Sequence, residues 1–288
     1  MTSVGAGSAV PALRRVLALS RPRFWIYLVG PYAVGLAAAG ARPGPVLLLL
    51  GVYLTLPANL LIYGINDLFD RPTDRLNRKK GSYEALLDPS EDRRLLAAIL
   101  LTNLPFVALV PFLPVGATAW LVLFLVLGIG YSMPPLRFKV RPALDSASNL
   151  LYAAPGFAAY TAATGAAPAP ALVVAAALWC AAMHAYSAVP DIAADRAAGL
   201  DTIATTLGPR GAVLVCLGLW TSAAALLVPW LPVVALMGGL AYLLLGGASL
   251  RAVGGARPSL FALYRAFPLV NTALGALLFF SVWFPRQG

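Results

Sequence analysis

Crossing the roughly 30 Å hydrocarbon core of a bilayer takes about 20 consecutive apolar residues in a helix. This sequence supplies nine such stretches: 24–41, 46–66, 94–113, 115–133, 146–164, 169–188, 211–229, 231–250 and 265–284. Pro- and Gly-rich turns separate several of them, at Arg42-Pro43-Gly44-Pro45, Leu113-Pro114, Pro168-Ala169-Pro170 and Leu231-Pro232. Only 11% of the residues are charged, against about 25% in a water-soluble domain, so the chain cannot clothe a soluble globule. The expectation is an all-α membrane protein, with residues 1–288 as a single integral-membrane domain of about nine transmembrane helices in a bundle. Cys180 and Cys216 lie in apolar runs and imply no disulfide framework, and His184, the one histidine, makes a zinc or haem site improbable on composition alone.

The basic residues set the orientation. With the N-terminus cytoplasmic, one face receives Arg14, Arg15, Arg21, Arg23, Arg71, Arg75, Arg78, Lys79, Lys80, Arg93, Arg94, Arg137, Lys139, Arg141, Arg196, Arg210, Arg251, Arg257 and Arg265, leaving only Arg42 and Arg286 outside. The positive-inside rule then predicts a multi-pass cell-membrane protein with its C-terminus on the opposite side. The first apolar stretch follows Arg21 and Arg23 and begins the first span; it does not have the pattern of a cleavable signal peptide. The net charge of +10 is thereby explained by insertion and anionic membrane lipid, with no nucleic acid partner.

The acids are more selective. None occurs in 1–66, 93–144, 146–190 or 202–288. Asp67, Asp70 and Asp74 follow the second stretch at i, i+3 and i+7, a spacing that keeps them within about 60° of one another on a helix. Asp191 and Asp195 follow the sixth stretch one turn apart. Glu84, Asp88 and Asp201 read as solvated loop residues, and Ser90-Glu91-Asp92 reads as an N-cap with acids in the first turn. Ionisable groups at membrane depth are functional hypotheses by default. The two clusters also recur in register: Asp70-Arg71-Pro72-Thr73-Asp74-Arg75 and Asp191-Ile192-Ala193-Ala194-Asp195-Arg196 both read D-x-x-x-D-R, and each follows a span carrying a tyrosine, Tyr63 or Tyr186. Spans one to four and five to eight therefore read as a tandem four-helix repeat with one helix added. Pseudo-symmetry would set the clusters facing each other across a central cavity that opens near the cytoplasmic side.

An all-oxygen donor set suits a hard cation such as Mg²⁺, which joins one or two carboxylates to substrate phosphates. Carboxylates alone repel a diphosphate, whereas carboxylates with Mg²⁺ bind it. At a membrane edge the fitting substrate is a diphosphate on an apolar chain, its tail inside the bundle. The segment Tyr131-Ser132-Met133-Pro134-Pro135-Leu136-Arg137-Phe138-Lys139 ends the fourth span at its prolines and brings Arg137 and Lys139 to the same face as the acids.

At these residues the sequence resembles the UbiA superfamily of intramembrane prenyltransferases. Asn66-Asp67-Leu68-Phe69-Asp70-Arg71-Pro72-Thr73-Asp74 matches the family's N-D-x-x-D-x-x-x-D motif, Asp191 to Asp195 its D-x-x-x-D, and the Tyr131–Lys139 segment is similar too. The resemblance implies Mg²⁺ ions held by Asp67, Asp70, Asp74, Asp191 and Asp195. It also implies a prenyl diphosphate assisted by Asn66, Arg137 and Lys139, with Tyr131 against the diphosphate or the cation, and with Arg75 and Arg196 at equivalent repeat positions. Arg71-Pro72 departs from the pattern, since a proline there can start a new turn and displace Asp74. The run Asp74–Glu84 and Ser187-Ala188-Val189-Pro190-Asp191 look like the lycopene elongase branch. That branch implies transfer of dimethylallyl units to a lipophilic acceptor, lycopene or a related carotenoid, with hydration in some members. The spans hold few charges to recognise a carboxylated aromatic, but an aromatic acceptor, a quinone or chlorophyll precursor, is the alternative. A transporter alternating access around the aspartates is the other-class alternative; acids confined to one end of the spans speak for a one-sided enzyme site. His184, two turns before Asp191, and Asn59, two turns before Asn66, read first as interhelical hydrogen-bonding groups. Asn149 is placed to line the cavity or cap the fifth span.

Overall fold

The computed structural model describes residues 6–71, 87–255 and 258–284, and every regular element among them is helical. We label the helices α1 (Ala6–Leu19), α2 (Ile26–Ala39), α3 (Pro45–Tyr53), α4 (Leu56–Phe69), α5 (Asp92–Val107), α6 (Val115–Ser132), α7 (Ala154–Thr164), α8 (Pro170–Ala188), α9 (Ile192–Ala197), α10 (Ile203–Leu227), α11 (Pro232–Val253) and α12 (Leu260–Trp283). Seven helical runs are long and apolar enough to cross a membrane: Pro45–Phe69, Pro89–Phe112, Val115–Ser132, Pro170–Ala197, Ile203–Leu227, Pro232–Val253 and Leu260–Trp283. Only 11% of the apolar window of Pro89–Phe112 and of Leu260–Trp283 is covered by protein. Their exposed residues, such as Leu101 and Leu269 at 74% each, need lipid against them.

The first and fifth stretches behave differently. The 14 residues of α2 cover about 21 Å and the 11 residues of α7 about 17 Å at 1.5 Å per residue, less than the hydrocarbon thickness. These two helices pack on each other backbone to backbone. A Cβ at Gly35 would lie 2.0 Å from the Gly156 carbonyl oxygen, and one at Gly156 would lie 2.5 Å from the Pro31 carbonyl oxygen. Small residues at such a crossing let helices approach closely without lipid between them. Ahead of α7 the chain runs through a short helix, Leu144–Ala147, and a 3-10 stretch, Ser148–Tyr152, which pack against α6 and α8. Irregular backbone at membrane depth survives where protein covers it. Here Asn149 donates to the Asp145 carbonyl at 2.8 Å and so braces the turn.

Breaks in the long runs have local causes. Pro57 has no N–H for the carbonyl four residues back, so α3 stops at Tyr53; the Asn59 amide then bonds the Leu54 and Thr55 carbonyls at 2.9 and 2.7 Å. α10 kinks at Gly208, whose φ of 68° a side chain would resist. α4 ends at Phe69 with Asp70 in the C-cap position. The helix that carries Asp67 therefore stops before Asp70, so these two do not share the unbroken helix that their spacing predicts; Asp74 lies outside the described residues. The cap before α5 is Asp88, which accepts from the Ser90 N–H and forms a capping box with Glu91; Ser90, the expected cap, is inside the turn. Glu91 and Asp92 are not merely first-turn acids either. Glu91 takes a two-pronged bond from Arg15 at 2.8 and 2.7 Å, and Asp92 pairs with Arg71.

Candidate active site

At the end of α4 two aspartates are almost fully enclosed, Asp67 at 2% and Asp70 at 3% exposure, and each faces its own cation. Arg21 reaches Asp67 Oδ1 through Nη2 at 2.8 Å, and Lys139 Nζ lies 2.5 Å from Asp70 Oδ1. Ser132, the last residue of α6, donates to Asp70 Oδ2 at 2.9 Å. The Asn66 amide donates to Ser132 Oγ at 3.0 Å and also to Asp70 Oδ2. Burial pushes the Asp70 carboxyl above its ordinary range, while Lys139, Ser132 and Arg137 pull it the other way. The pairing is what the enclosure requires, since an unpaired buried charge is costly.

The cations are held with backbone strain. Arg21 (φ 51°) and Arg137 (φ 41°) both sit in the left-handed region, where a non-glycine residue costs on the order of 1–3 kcal/mol and where such residues gather at functional sites. Arg21 also lies over the Tyr63 ring, 4.5 Å from its centroid. Behind Tyr63 runs an aromatic wall. Phe24 stands 5.8 Å from Tyr63 and 6.0 Å from Tyr27, Tyr27 stands 6.1 Å from Tyr152, and the Tyr63 and Tyr152 hydroxyls are 3.4 Å apart.

The second motif lies at the end of α8. Asp191 closes a 3-10 turn, Val189–Asp191, and Asp195 stands in the first turn of α9; both are half-buried. The group that relates the two motifs is Tyr131, near the end of α6. Its hydroxyl lies 3.2 Å from His184 Nε2 on α8. Tyr131, Tyr152 and His184 are each half-buried within the bundle. Among the described residues no three His, Cys, Asp or Glu side chains converge as a ready-made metal cage. Asp74 and Arg75 lie outside the described residues. Arg196 is exposed and gives Nη2 to the Thr205 carbonyl at 2.8 Å, a bond that ties α9 to α10.

A sequence model of the UbiA prenyltransferase family matches residues 28–261. The chain belongs to this family. It is a prenyltransferase of the UbiA type. It is 44% identical over 219 residues to a lycopene elongase/hydratase of Halobacterium salinarum, covering 74% of this chain and 78% of that one. To a lycopene elongase/hydratase of Haloferax volcanii it is 41% identical over 268 residues, covering 90% and 85%. Its fold is similar to that of a UbiA homolog from Archaeoglobus fulgidus solved with DMAPP and Mg²⁺, with TM-score 0.69, 23% identity, and coverage of 93% of this chain and 98% of that one.

Around this candidate site the structure adds residues that sequence reasoning did not single out. Arg21 is one: positive-inside bias accounts for its charge as well as a site role does, so charge alone cannot pick it out. Ser132 is another, a hydroxyl one residue before a Met-Pro-Pro turn. Asp145 is fully buried, accepts the Ile203 N–H at 2.9 Å through Oδ2, and so fastens the start of α10. Burial holds its carboxyl above the ordinary range. The signal was its isolation, the one acid between Asp92 and Asp191.

Proposed function

We propose that this UbiA-type enzyme transfers a dimethylallyl unit from its diphosphate to the end of lycopene or a closely related polyene, and that water adds to the cation left on the acceptor. The observation that carries the reading is the set of matched charges at the end of α4. Two buried carboxylates, each facing a cation, can exchange those cations for a diphosphate and its metal without leaving bare charge. The acceptor follows from the names of the relatives at 41–44% identity.

The donor set fits Mg²⁺. It is all oxygen, and this ion keeps water and phosphate oxygens in its shell beside one or two carboxylates. In this reading Asp67, Asp70, Asp74, Asp191 and Asp195 hold the metal, which when bound neutralises charge on the departing diphosphate. Arg21, Lys139 and Arg137, with Asn66, turn towards the diphosphate oxygens, and Arg75 and Arg196 rank behind them. Tyr131, Tyr63 and Tyr152 offer ring faces to the allylic cation, and the wall of Phe24 and Tyr27 restricts water around it.

The same proposal includes nine crossings in one domain, α2 and the Leu144–Thr164 run being the two beyond the seven long helices. It also includes a tandem repeat with one helix added, a cytoplasmic N-terminus and a chamber opening on that side. The Gly35–Gly156 contact supports the repeat, because the interval between these glycines equals that between Asp70 and Asp191.

The test is purified protein in detergent with dimethylallyl diphosphate, Mg²⁺ and lycopene. Diphosphate release with a heavier carotenoid is the expected result. Turnover with phenolic acceptors alone would move the acceptor to the aromatic branch. Proton-coupled uptake into vesicles without turnover would replace the reading by transport. A second expectation concerns the resting charges. Arg21→Ala leaves Asp67 buried without its arginine, which costs about 3–5 kcal/mol for a buried pair. Its melting temperature in metal-free buffer should fall well below wild type, and Mg²⁺ should restore more of it than an equal ionic strength of Na⁺.

A further inference from the structure

We infer that His184, acting through the Tyr131 hydroxyl, accepts the proton released when water adds to the product cation. The inference rests on the reading above and deepens its last step. His184 is the one histidine of the chain. It stands on α8, two turns before Asp191, and Tyr131 stands on α6 beside Ser132 and the first motif, so the pair joins the two halves of the site. Tyr131 Oη and His184 Nε2 are 3.2 Å apart, with the rings edge to face at 5.6 Å and 77°. Among the described residues no carboxylate pairs with His184, and its neighbours on α8 in the adjacent core cluster are Ala182, Met183, Ala185 and Tyr186. With the imidazole protonated on Nδ1, the Nε2 lone pair faces the phenol.

A plain interhelical hydrogen bond explains the 3.2 Å distance. It does not explain why the bond joins two half-buried groups on α6 and α8, the helices that lead into the first-motif partner Ser132 and into Asp191. The chemistry of the proposed reaction leaves a task for it. The C–O bond of the allylic diphosphate breaks, and the electron pair leaves with the diphosphate. The π pair of the acceptor's terminal alkene forms the new C–C bond, which leaves a tertiary cation on the acceptor. A water oxygen then gives a lone pair to that carbon and carries one proton too many. In an apolar chamber that proton needs a placed acceptor. Tyr131 takes it as its own proton passes to His184 Nε2, and after product release the imidazolium returns a proton through Tyr131 to the aqueous end of the site. Without the acceptor, the released diphosphate takes a neighbouring C–H proton from the cation, and the product is an alkene lighter by one water.

The experiment reads the ratio of hydrated to water-free product by mass spectrometry after incubation with dimethylallyl diphosphate, Mg²⁺ and lycopene. The ratio is taken within the product formed, so slower turnover does not blur it. His184→Gln can keep a hydrogen bond to Tyr131 but cannot take the proton, and the ratio should fall at least about tenfold, the low side of a general-base effect. Tyr131→Phe should shift it the same way, and added imidazole should restore it in His184→Ala, which a purely structural histidine would not allow. An unchanged ratio in both His184 variants, or a wild-type enzyme that makes only the water-free product, overturns the inference. A wild-type enzyme that prenylates no polyene overturns the reading beneath it, and the inference with it.

Discussion

Asp191→Ala is expected to lower prenyl transfer by at least about a hundredfold while the protein stays folded. The expectation follows from where charge develops. As the allylic C–O bond breaks, negative charge gathers on the diphosphate, and groups already aimed there act with little water to screen them. Removing one preorganised partner of that kind typically costs about 10²–10³-fold in rate. Asp191 separates this effect from folding better than the first motif does. It is half-buried at the end of a 3-10 turn, so water can replace what its carboxylate leaves. Asp67→Ala instead strands a largely enclosed Arg21 and should lose both activity and thermal stability. Diphosphate release and a melting curve in the same detergent distinguish the two. Near-wild-type release in Asp191→Ala would remove the second motif from the site and with it the metal assignment.

The long apolar helices were legible because hydropathy and length are properties of a segment. The ends of helices were not, since single residues decide them. α4 closes at Phe69, one residue before Asp70, and Asp88 takes the cap that the Ser90-Glu91-Asp92 pattern gives to Ser90. The first and fifth stretches are apolar enough to read as full spans. Yet their helices are short, because Gly35 and Gly156 let them lie against each other and the 3-10 stretch at Ser148–Tyr152 can be covered by α6 and α8. In the site, the acids announced themselves by scarcity and register. Among the cations, Lys139 stood out through its proline-rich segment; Arg21 looks like any of the basic residues that orient the chain, and only the fold gives it an aspartate. The Tyr131–His184 contact joins residues more than fifty positions apart, and no periodicity within one span could have paired them.

Gly35→Ala carries the second large expectation, and here two effects of opposite sign compete. In the interior of a helix, alanine is favoured over glycine by about 1 kcal/mol. Gly218 on α10 is exposed, and a Cβ there would have nothing within 4 Å, so Gly218→Ala should stabilise or be silent. At Gly35 the new Cβ would lie 2.0 Å from a backbone carbonyl oxygen, which cannot swing aside as a side-chain tip could. α2 and α7 must part, and overpacking of this kind costs about 1–3 kcal/mol or more, which exceeds the propensity gain. The loss should reach the site as well. α2 carries Tyr27, and the chain enters α7 directly after Tyr152, so separating the helices draws apart the rings that close the aromatic wall. Melting curves in detergent should show Gly35→Ala several degrees below wild type and Gly218→Ala at or above it, with prenyl transfer falling only in the former. A Gly35→Ala protein as stable as wild type would mean that α2 and α7 do not meet at this crossing.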